Sequence, residues 1–352
     1  MNLRRTFLAF CLGLGGLMST AAHAGTKQSF NVCWSIYAGW MPWGYAQTQG
    51  IVDKWAKKYG IEIKVTQLND YIESVNQYTA GQFDGCTMTN IDALSVPAAG
   101  GMDSTALIPG GYSNGNDGIV LKGEGRKLAD IKGQNVHLVQ FSVSHYLLAR
   151  GLDAAGLRER DIKVVNTSDA DIVGAFATRQ VQVAVAWNPQ LSTIAATPNT
   201  TTVFSSSQVP GELIDLMVVN TATLKDNPAL GKALTGAWFE VMAQMKAQDT
   251  KVLEMMAKAA GTTLADYQTQ LKTTALFHTP AEALAFATGP KLPATMKHVA
   301  QFSFDKGLLG EGARSPDAVG VAFPGGAVNG NVKNTKLRFD ATYLRLAVDG
   351  KL

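Results

Sequence analysis

A cluster of aromatic residues stands near the start of the chain. Its members are Trp34, Tyr37, Trp40, Trp43 and Tyr45. Gly39, Pro42 and Gly44 interrupt the cluster, so its spacing fits neither a helix face nor a strand face and predicts a loop. Aromatic ring faces attract cations, and loops at strand ends commonly carry binding residues. We therefore expect at least two of these rings to face a binding cleft and the others to pack in the core.

A serine motif offers a second kind of chemistry. Residues 111–115 read Gly-Tyr-Ser-Asn-Gly and match the G-x-S-x-G pattern of a nucleophile elbow around Ser113. Such an elbow needs a strand, a sharp turn and then a helix, whereas residues 119–121 that follow are typical of a strand. A secreted hydrolase that uses Ser113 is therefore the weaker alternative.

The histidines and glycines give no support to metal or nucleotide chemistry. No histidine after residue 24 has HExxH or H-x-H spacing; these histidines are His137, His145, His278 and His298. That part of the chain also has no Walker A motif and no G-x-G-x-x-G motif. We predict no catalytic residue, no metal and no cofactor.

Alternating strands and helices must position these residues. The first unit is predicted to contain strands at 30–36, 62–67, 85–89 and 104–109 and helices at 45–59, 71–80 and 91–98. This order is typical of a mostly parallel α/β sheet. A break rich in Gly and Asn at 110–118 predicts the first crossing to a second unit.

The second unit repeats the same pattern and then returns to the first. Its predicted strands are 135–139, 162–166, 183–187 and 201–204, and the chain crosses back at 210–220. Helices follow to about residue 306, and we expect the segment 310–352 to wrap loosely over one domain. The sequence thus predicts one lobe from 25–111 and 218–352 and a second lobe from 112–217. A cleft between two such lobes binds ligands and can close by hinge motion.

The N-terminus predicts export. Two arginines, an apolar run and the sequence Ala22-His23-Ala24 follow the order of a secretory signal, with cleavage expected after Ala24. The motif Arg4-Arg5 leaves both the general and the twin-arginine routes open. The mature protein should lie in the periplasm.

Composition narrows the class of partner. The 352 residues carry 31 Lys+Arg against 28 Asp+Glu, a net charge of +3, which is too small for general nucleic-acid binding. Cys33 and Cys86 fall on predicted neighbouring strands. Adjacent parallel strands rarely offer disulfide geometry, so we expect two buried free thiols.

Four segments in the middle of the chain resemble a known family. They are residues 116–121, 128–136, 144–148 and 186–191, which read NDGIVL, LADIKGQNV, SHYLL and AWNPQL. In their order and spacing they resemble the substrate-binding proteins of nitrate, sulfonate and taurine ABC importers, over most of residues 28–260. Within that family the chain resembles the branch encoded with urea carboxylase, an enzyme group associated with guanidine use.

The resemblance implies an architecture and a set of partners. It implies a type II periplasmic binding protein fold, an α/β fold with two lobes joined by two hinge crossings. It also implies delivery of a small ligand to a membrane permease that works with a cytoplasmic ATPase. We further expect a monomer without enzymatic activity. A sensor that presents its ligand to a membrane receptor would share every binding residue and stays an alternative.

The resemblance also places the ligand between the lobes. The ligand-binding residues it implies are Trp34, Tyr37, Trp40, Trp43, Asn90, Asp92, Asn116, Asp117, Phe141, Ser142, His145, Trp187, Asn188 and Asp215. The stretches that hold these residues contain no Lys or Arg. Their carboxylates are Asp92, Asp117, Glu212 and Asp215.

Carboxylates beside aromatic faces suit a planar cation such as guanidinium, through charge-assisted N–H bonds and cation–π contact. Neutral urea would instead use amides such as Asn90, Asn116 and Asn188. A nitrate or sulfonate anion would depend on helix N-termini. Asp92 could also cap a helix and Asp117 could shape a turn. We predict guanidine as the ligand, with urea next and a sulfonate- or nitrate-type anion as the alternative.

Overall fold

The computed structural model describes residues 27–352, which form two separate β-sheets. The predicted signal peptide and its cleavage site after Ala24 lie outside the described residues. The strands are β1 (Ser29–Ser35), β2 (Glu62–Leu68), β3 (Gly85–Thr89), β4 (Ser104–Ser113), β5 (Asp117–Lys122), β6 (Asn135–Leu138), β7 (Lys163–Asn166), β8 (Val183–Trp187), β9 (Thr200–Ser205), β10 (Ile214–Asn220), β11 (Thr274–Leu276), β12 (Gly320–Ala322), β13 (Val328–Asn329) and β14 (Thr335–Phe339).

Helices cover the faces of both sheets. They are α1 (Met41–Thr48), α2 (Ile51–Lys58), α3 (Tyr71–Thr79), α4 (Asn90–Ala93), α5 (Val143–Ala154), α6 (Ile172–Ala177), α7 (Gln190–Ala195), α8 (Thr221–Asp226), α9 (Pro228–Lys246), α10 (Thr250–Ala259), α11 (Leu264–Lys272), α12 (Pro280–Ala287), α13 (Lys291–Asp305) and α14 (Thr342–Val348). Within residues 27–352, no helix is both long enough and apolar enough to cross a bilayer.

The larger sheet has nine strands and the smaller sheet has five. The order in the larger sheet is β13-β12-β14-β4-β10-β3-β1-β2, with β11 paired to β4, and the order in the smaller sheet is β7-β6-β8-β5-β9. The chain leaves the larger sheet after β4 and returns to it at β10. Both sheets are mixed, because β10 runs antiparallel to β3 and β4 and β5 runs antiparallel to β8. The exact lobe boundaries at 111/112 and 217/218 stay a prediction.

The first crossing is shorter than the Gly-rich sequence predicts. Strand β4 continues through Gly110 and Gly111 to Ser113, and β5 begins at Asp117. These glycines serve close packing rather than a break. A Cβ atom at Gly110 would lie 2.9 Å from the Trp238 ring, and one at Gly111 would lie 2.6 Å from the carbonyl oxygen of Ala275.

The predicted helix at 45–59 is two helices. The chain breaks between α1 and α2 at Gly50, which has a φ of 68° in the left-handed region that favours glycine. Helix α1 also starts earlier than predicted, because the predicted loop ends at Trp40 and Pro42 occupies the first turn, where proline is tolerated.

The expectation that the C-terminal segment wraps loosely over one domain is wrong. Strand β14 pairs in parallel with β4, and β12 and β13 continue the larger sheet beyond it. Leu337 and Phe339 alternate into the core, whereas Arg338 points the other way and pairs with Asp103. Such a period of two is the pattern of a half-buried strand, which the surrounding Gly and Asn residues obscure.

The prediction of two free thiols is also wrong. Cys33 on β1 and Cys86 on β3 form a disulfide with their Cα atoms 4.4 Å apart. The two residues face each other directly in the parallel register of β1 and β3, and both are fully buried. This covalent link joins two strands whose C-terminal ends lead into the candidate site.

Candidate ligand-binding site

A small enclosed cavity lies between the two sheets. Residues from both lobes line it: Tyr37, Trp40, Tyr71, Thr89, Ser113, Asp117, Val143, Trp187, Leu213 and Asp215. The space open to the centre of a water-sized sphere is about 20 Å³. One water-sized sphere needs roughly 10–15 Å³ by this measure, so the cavity in this conformation suits a ligand of very few heavy atoms.

Four aromatic rings form a cage around this cavity. The centroids of Tyr37 and Trp40 are 5.1 Å apart, and those of Trp40 and Tyr71 are 5.5 Å apart. Tyr71 in turn meets Trp187 edge-to-face at 5.5 Å. Three of these rings come from the larger lobe and Trp187 comes from the smaller one, so the cage is complete only when the lobes are together.

The ends of strands position the cage. Tyr37 and Trp40 follow β1, Tyr71 is the first residue of α3 after β2, and Trp187 is the last residue of β8. Strands β1 and β2 are parallel neighbours, so their C-terminal ends meet at one edge of the sheet. Ligands of open α/β sheets bind at such edges.

Two carboxyl groups complete the lining. Asp117 starts β5 and faces Trp187 in the register of β5 and β8, and Asp215 lies on β10 opposite Thr89. Burial raises the pKa of Asp117 to about 7, with a hydrogen bond from Ser113 acting against the shift and the charge of Asp92 adding to it. Burial raises the pKa of Asp215 well above its usual range, and the neighbouring charge of Asp117 raises it further.

A third carboxyl group lies behind the cage. The Asp92 side chain is fully buried and accepts hydrogen bonds from the Tyr71 hydroxyl at 2.5 Å and the Thr89 hydroxyl at 2.7 Å. Burial raises the pKa of Asp92 to about 6, although these hydrogen bonds act to lower it. Asp92 therefore fixes the Tyr71 ring, and the cap of α4 is the Thr89 side chain, which accepts from the backbone N–H of Asp92.

Several polar atoms around the cavity have no hydrogen-bond partner of good geometry. They include the Tyr37 hydroxyl, the Trp40 indole N–H and the Asp215 Oδ2 atom, all of them buried. An unpaired buried polar atom costs about 1–3 kcal/mol. The Tyr37 hydroxyl and the Asp215 carboxyl group are neighbours and interact with each other. Two of the three can donate, and the carboxyl group can accept.

No basic side chain faces these groups. Among residues 27–352, the cavity lining contains no Lys, Arg or His. Nor does this part of the chain bring three His, Cys, Asp or Glu side chains together in a group that could hold a metal ion. The two lining carboxyl groups therefore have no basic partner among the described lining residues.

Two predicted aromatic residues lie in the core rather than at the cavity. Trp34 on β1 packs against Gly44, where a Cβ atom would lie 2.4 Å from the Trp34 ring. Trp43 stacks on Trp238 with the ring centroids 5.1 Å apart. Tyr45 donates to Gln244 at 3.0 Å on another face of the lobe. Of the five-residue cluster, Tyr37 and Trp40 line the cavity.

The side chains of the three predicted amides lie outside the cavity lining, where they form hydrogen bonds within the protein. The Asn90 side chain donates to the carbonyl oxygen of Glu212 and accepts from the backbone N–H of Ile214. Asn116 donates to Thr274. The Asn188 side chain accepts from Ser192.

The start of α5 supplies Val143 to the cavity instead of the residues predicted there. Ser142 caps α5 by accepting from the backbone N–H of Ser144, and Phe141 is 42% exposed. The buried His145 accepts from the backbone N–H of Phe141 at its Nδ1 atom and contacts Glu159 through Nε2 at 3.1 Å. These three predicted residues lie beside the cavity and outside its lining.

Glu212 also lies outside the cavity lining. Its carboxylate accepts from the Tyr146 hydroxyl at 2.7 Å and from the Arg150 guanidinium at 2.9 Å. Of the four acidic residues in the predicted binding stretches, Glu212 is thus the one paired with a basic side chain.

Sequence reasoning missed Tyr71 as a residue of the cavity lining. The available signal was its position, because Tyr71 opens a helix directly after β2, as Tyr37 and Trp40 follow β1. Ser113 lines the cavity but bonds to the Ser206 hydroxyl at 2.6 Å. Strand β5 rather than a helix follows Ser113, so the strand, turn and helix of a nucleophile elbow are not formed there.

Direct contacts hold the lobes together around the cavity. The backbone N–H of Ala38 donates to the carbonyl oxygen of Asn188 at 3.2 Å, and the N–H of Tyr71 lies 3.4 Å from Asp169 Oδ1. Each contact joins a residue beside the cage to the opposite lobe. These contacts bring the two lobes together beside the cavity in this conformation.

Known proteins resemble the chain at the level of family and fold. The family described as NMT1/THI5 like matches residues 55–251, more than half of the chain. Proteins of Brucella abortus and Brucella suis that are designated binding proteins are 27% identical over 195 residues, which is 54% of this chain and 57% of each relative. The chain thus spans little more than half the length of these curated relatives.

Solved structures share the fold at low sequence identity. The alkanesulfonate-binding protein SsuA from Xanthomonas axonopodis pv. citri, bound to MOPS, has a TM-score of 0.66 at 16% identity, covering 84% of this chain and 99% of its own. The periplasmic nitrate-binding protein NrtA from Synechocystis PCC 6803 has a TM-score of 0.56 at 12% identity, covering 93% and 99%. The desulfurization enzyme DSZB has a TM-score of 0.57 at 13% identity, covering 92% and 100%. The predicted periplasmic binding protein fold is confirmed.

Proposed function

Because the chain belongs to the NMT1/THI5-like family, we propose that it is the substrate-binding component of an ABC importer and that its ligand is a small planar cation, guanidinium. In this proposal the protein works in the periplasm as a monomer and delivers its ligand to a permease with a cytoplasmic ATPase. Urea is the second candidate, in keeping with the proposed membership of the urea carboxylase branch.

The observation that carries the proposal is the chemistry of the cavity lining. Asp117 and Asp215 stand within a cage of four aromatic rings, and the described lining contains no basic side chain. A guanidinium ion can place its N–H groups on the two carboxylates and its flat face on a ring. The small volume of the closed cavity also favours an ion of this size over an alkanesulfonate with a long tail.

An anion is the alternative that the structural relatives raise, since SsuA and NrtA are named for alkanesulfonate and nitrate. A sulfonate or nitrate in this cavity would meet two acidic groups. The donors for it would be the Tyr37 hydroxyl, the Trp40 indole N–H and the first turn of α5 at Val143. The balance of charge favours the cation. An enzyme that uses Ser113 is not favoured, because strand β5 stands where a nucleophile elbow needs a helix.

Isothermal titration calorimetry with guanidinium, urea, nitrate and taurine, at one ionic strength, tests the proposal. We expect guanidinium to bind tightly, urea weakly and the two anions not at all. Trp187→Leu should weaken guanidinium binding, because it opens the cage from the smaller lobe. Trp55→Leu is the matched control, since Trp55 packs against Gly236 and donates to Glu240 away from the cavity lining. Binding of nitrate or taurine without binding of guanidinium would overturn the proposal.

A further inference from the structure

Three buried carboxyl groups lie in or beside the cavity, and the described lining contains no basic side chain to pair with them. Asp117 and Asp215 line the cavity, Asp92 lies directly behind Tyr71, and all three side chains are at most 4% exposed. Buried carboxyl groups without a counter-ion resist ionisation, and each charge opposes the next. The Oδ2 atom of Asp215 has no hydrogen-bond partner of good geometry, and the neighbouring group that can donate to Asp215 is the uncharged Tyr37 hydroxyl.

The groups that face the two lining carboxyls are uncharged. Ser113 on β4 donates to Asp117, and Trp187 on β8 stands opposite it in the register. Tyr37 faces Asp215, and burial together with both carboxylates raises the pKa of Tyr37 well above its usual range. Asp92 on α4 is the remaining acid, and Tyr71 and Thr89 donate to it.

We propose that the cavity exchanges a proton for its cation, so that ligand binding releases up to one proton from the Asp117 and Asp215 pair. In the exchange an O–H bond of the carboxyl group breaks, the proton passes to the solvent, and an N–H group of the cation becomes the new donor to the carboxylate. The charge of the closed cavity is then the same before and after binding. This inference rests on the proposed function and adds its pH dependence.

The sign of the pH dependence distinguishes classes of ligand. A cation binds the ionised pair, so its affinity increases as the pH rises. Neutral urea and an anion bind best to the protonated pair, whose O–H group can donate a hydrogen bond to them. Their affinity therefore decreases as the pH rises.

The test is calorimetric titration of the protein with guanidinium chloride at about pH 6 in phosphate and in bis-Tris, and at about pH 8 in phosphate and in Tris. These buffers differ in their heat of protonation, so the difference in observed heat counts the protons released. Below the apparent pKa of the pair, we expect the dissociation constant for guanidinium to increase about tenfold for each unit by which the pH falls. Close to one proton should be released per ligand bound.

Two variants show where the proton comes from. Asp215→Asn removes one member of the pair, so the pH dependence should shift to lower pH and the proton release at neutral pH should fall. Asp84→Asn is the control, because Asp84 is a buried carboxylate at the opposite end of β3 that is already paired with Lys27. It should leave both quantities unchanged.

The outcomes separate this inference from the proposed function. Guanidinium binding with equal affinity at both pH values and no proton release would overturn the exchange and leave the proposed function intact. Tighter guanidinium binding at the lower pH would also overturn the exchange. Failure of guanidinium to bind at either pH would overturn both.

Discussion

The molecule has two neighbouring regions rich in acidic side chains, which differ in whether those side chains have a basic partner. In the cavity, Asp117 and Asp215 have no basic partner. Beside it lies a second region, which we call the ion-paired face, where Glu212 pairs with Arg150 and Glu159 pairs with Lys306. The same residue types are used in both regions. The difference shows that the carboxylates of the ion-paired face already have basic partners within the chain, whereas those of the cavity lining have none.

The largest expected effect concerns the covalent link beneath the cavity. Replacement of both cysteines, Cys33→Ala with Cys86→Ala, should lower the free energy of unfolding by about 2–4 kcal/mol, because the link closes a long loop. Urea denaturation of the oxidised and reduced protein measures the change. The reduced wild-type protein is the matched control and should resemble the variant. An unchanged unfolding midpoint would show that the link does not brace the cavity side.

A pair of isosteric variants compares the two regions directly. Asp215→Asn should weaken guanidinium binding by about 1.5–3 kcal/mol without lowering the stability of the empty protein, because it removes a carboxyl group that has no partner. Glu212→Gln should instead lower the free energy of unfolding by about 1–2 kcal/mol, because Arg150 and Tyr146 lose their anionic acceptor. Calorimetry and urea denaturation of both variants provide the measurements. Equal behaviour of the two would remove the distinction between the regions.

The two regions should also differ in how pH affects the empty protein. Asp117 and Asp215 have pKa values raised by folding, so the stability they contribute is present at acid pH and is lost as the pH rises through their folded pKa, about 7 for Asp117. Burial lowers the pKa of His145 to about 4 from 6.5, so its contribution is lost as the pH falls below 6.5. Between pH 6.5 and the folded pKa values of Asp117 and Asp215, the stability therefore changes with pH through these two carboxyl groups and not through His145.

Thermal unfolding over this range checks the prediction. The melting temperature of the empty wild-type protein should fall as the pH rises above 6.5. The free energy of unfolding should decrease by about 1.4 kcal/mol per pH unit for each carboxyl group that stays protonated in the folded protein. A double variant, Asp117→Asn with Asp215→Asn, should lose this fall and keep the decrease on the acid side that His145 causes. A variant with the same profile as the wild type would contradict the assignment.

The smallest expected effect is on the exposed part of the ion-paired face. Lys306→Met removes the partner of Glu159, whose side chain is 37% exposed, and should change the free energy of unfolding by only about 0.2–1 kcal/mol. High salt should reduce the wild-type value towards that of the variant. Urea denaturation at low and high salt makes the measurement, with Lys351→Met as a control at an exposed pair near the C-terminus. A loss several times larger would mean that this pair holds the lobes closed.

Local sequence patterns predict many of the strands and helices of this fold. Strands such as Gly85–Thr89 and Val183–Trp187 follow from short apolar runs between turns, and residues 190–195 form the predicted helix. Local patterns give the wrong secondary structure where contacts with residues far away in the chain determine it. Gly110 and Gly111 lie inside a strand because Trp238 and β11 approach them closely, and Leu337 and Phe339 become a strand because β4 offers them a partner.

The sequence by itself determined the α/β order, the two crossings and the concentration of rings and acids in stretches without Lys or Arg, because these follow from local periodicity and residue type. Only the tertiary structure decided which of these side chains face the cavity. It turned Trp34 and Trp43 into the core, paired Glu212 with Arg150, and brought Tyr71 to the cage. The physical reason is that a side chain faces the cavity only if packing neither buries it in the core nor pairs it elsewhere, and that depends on neighbours far away in the chain.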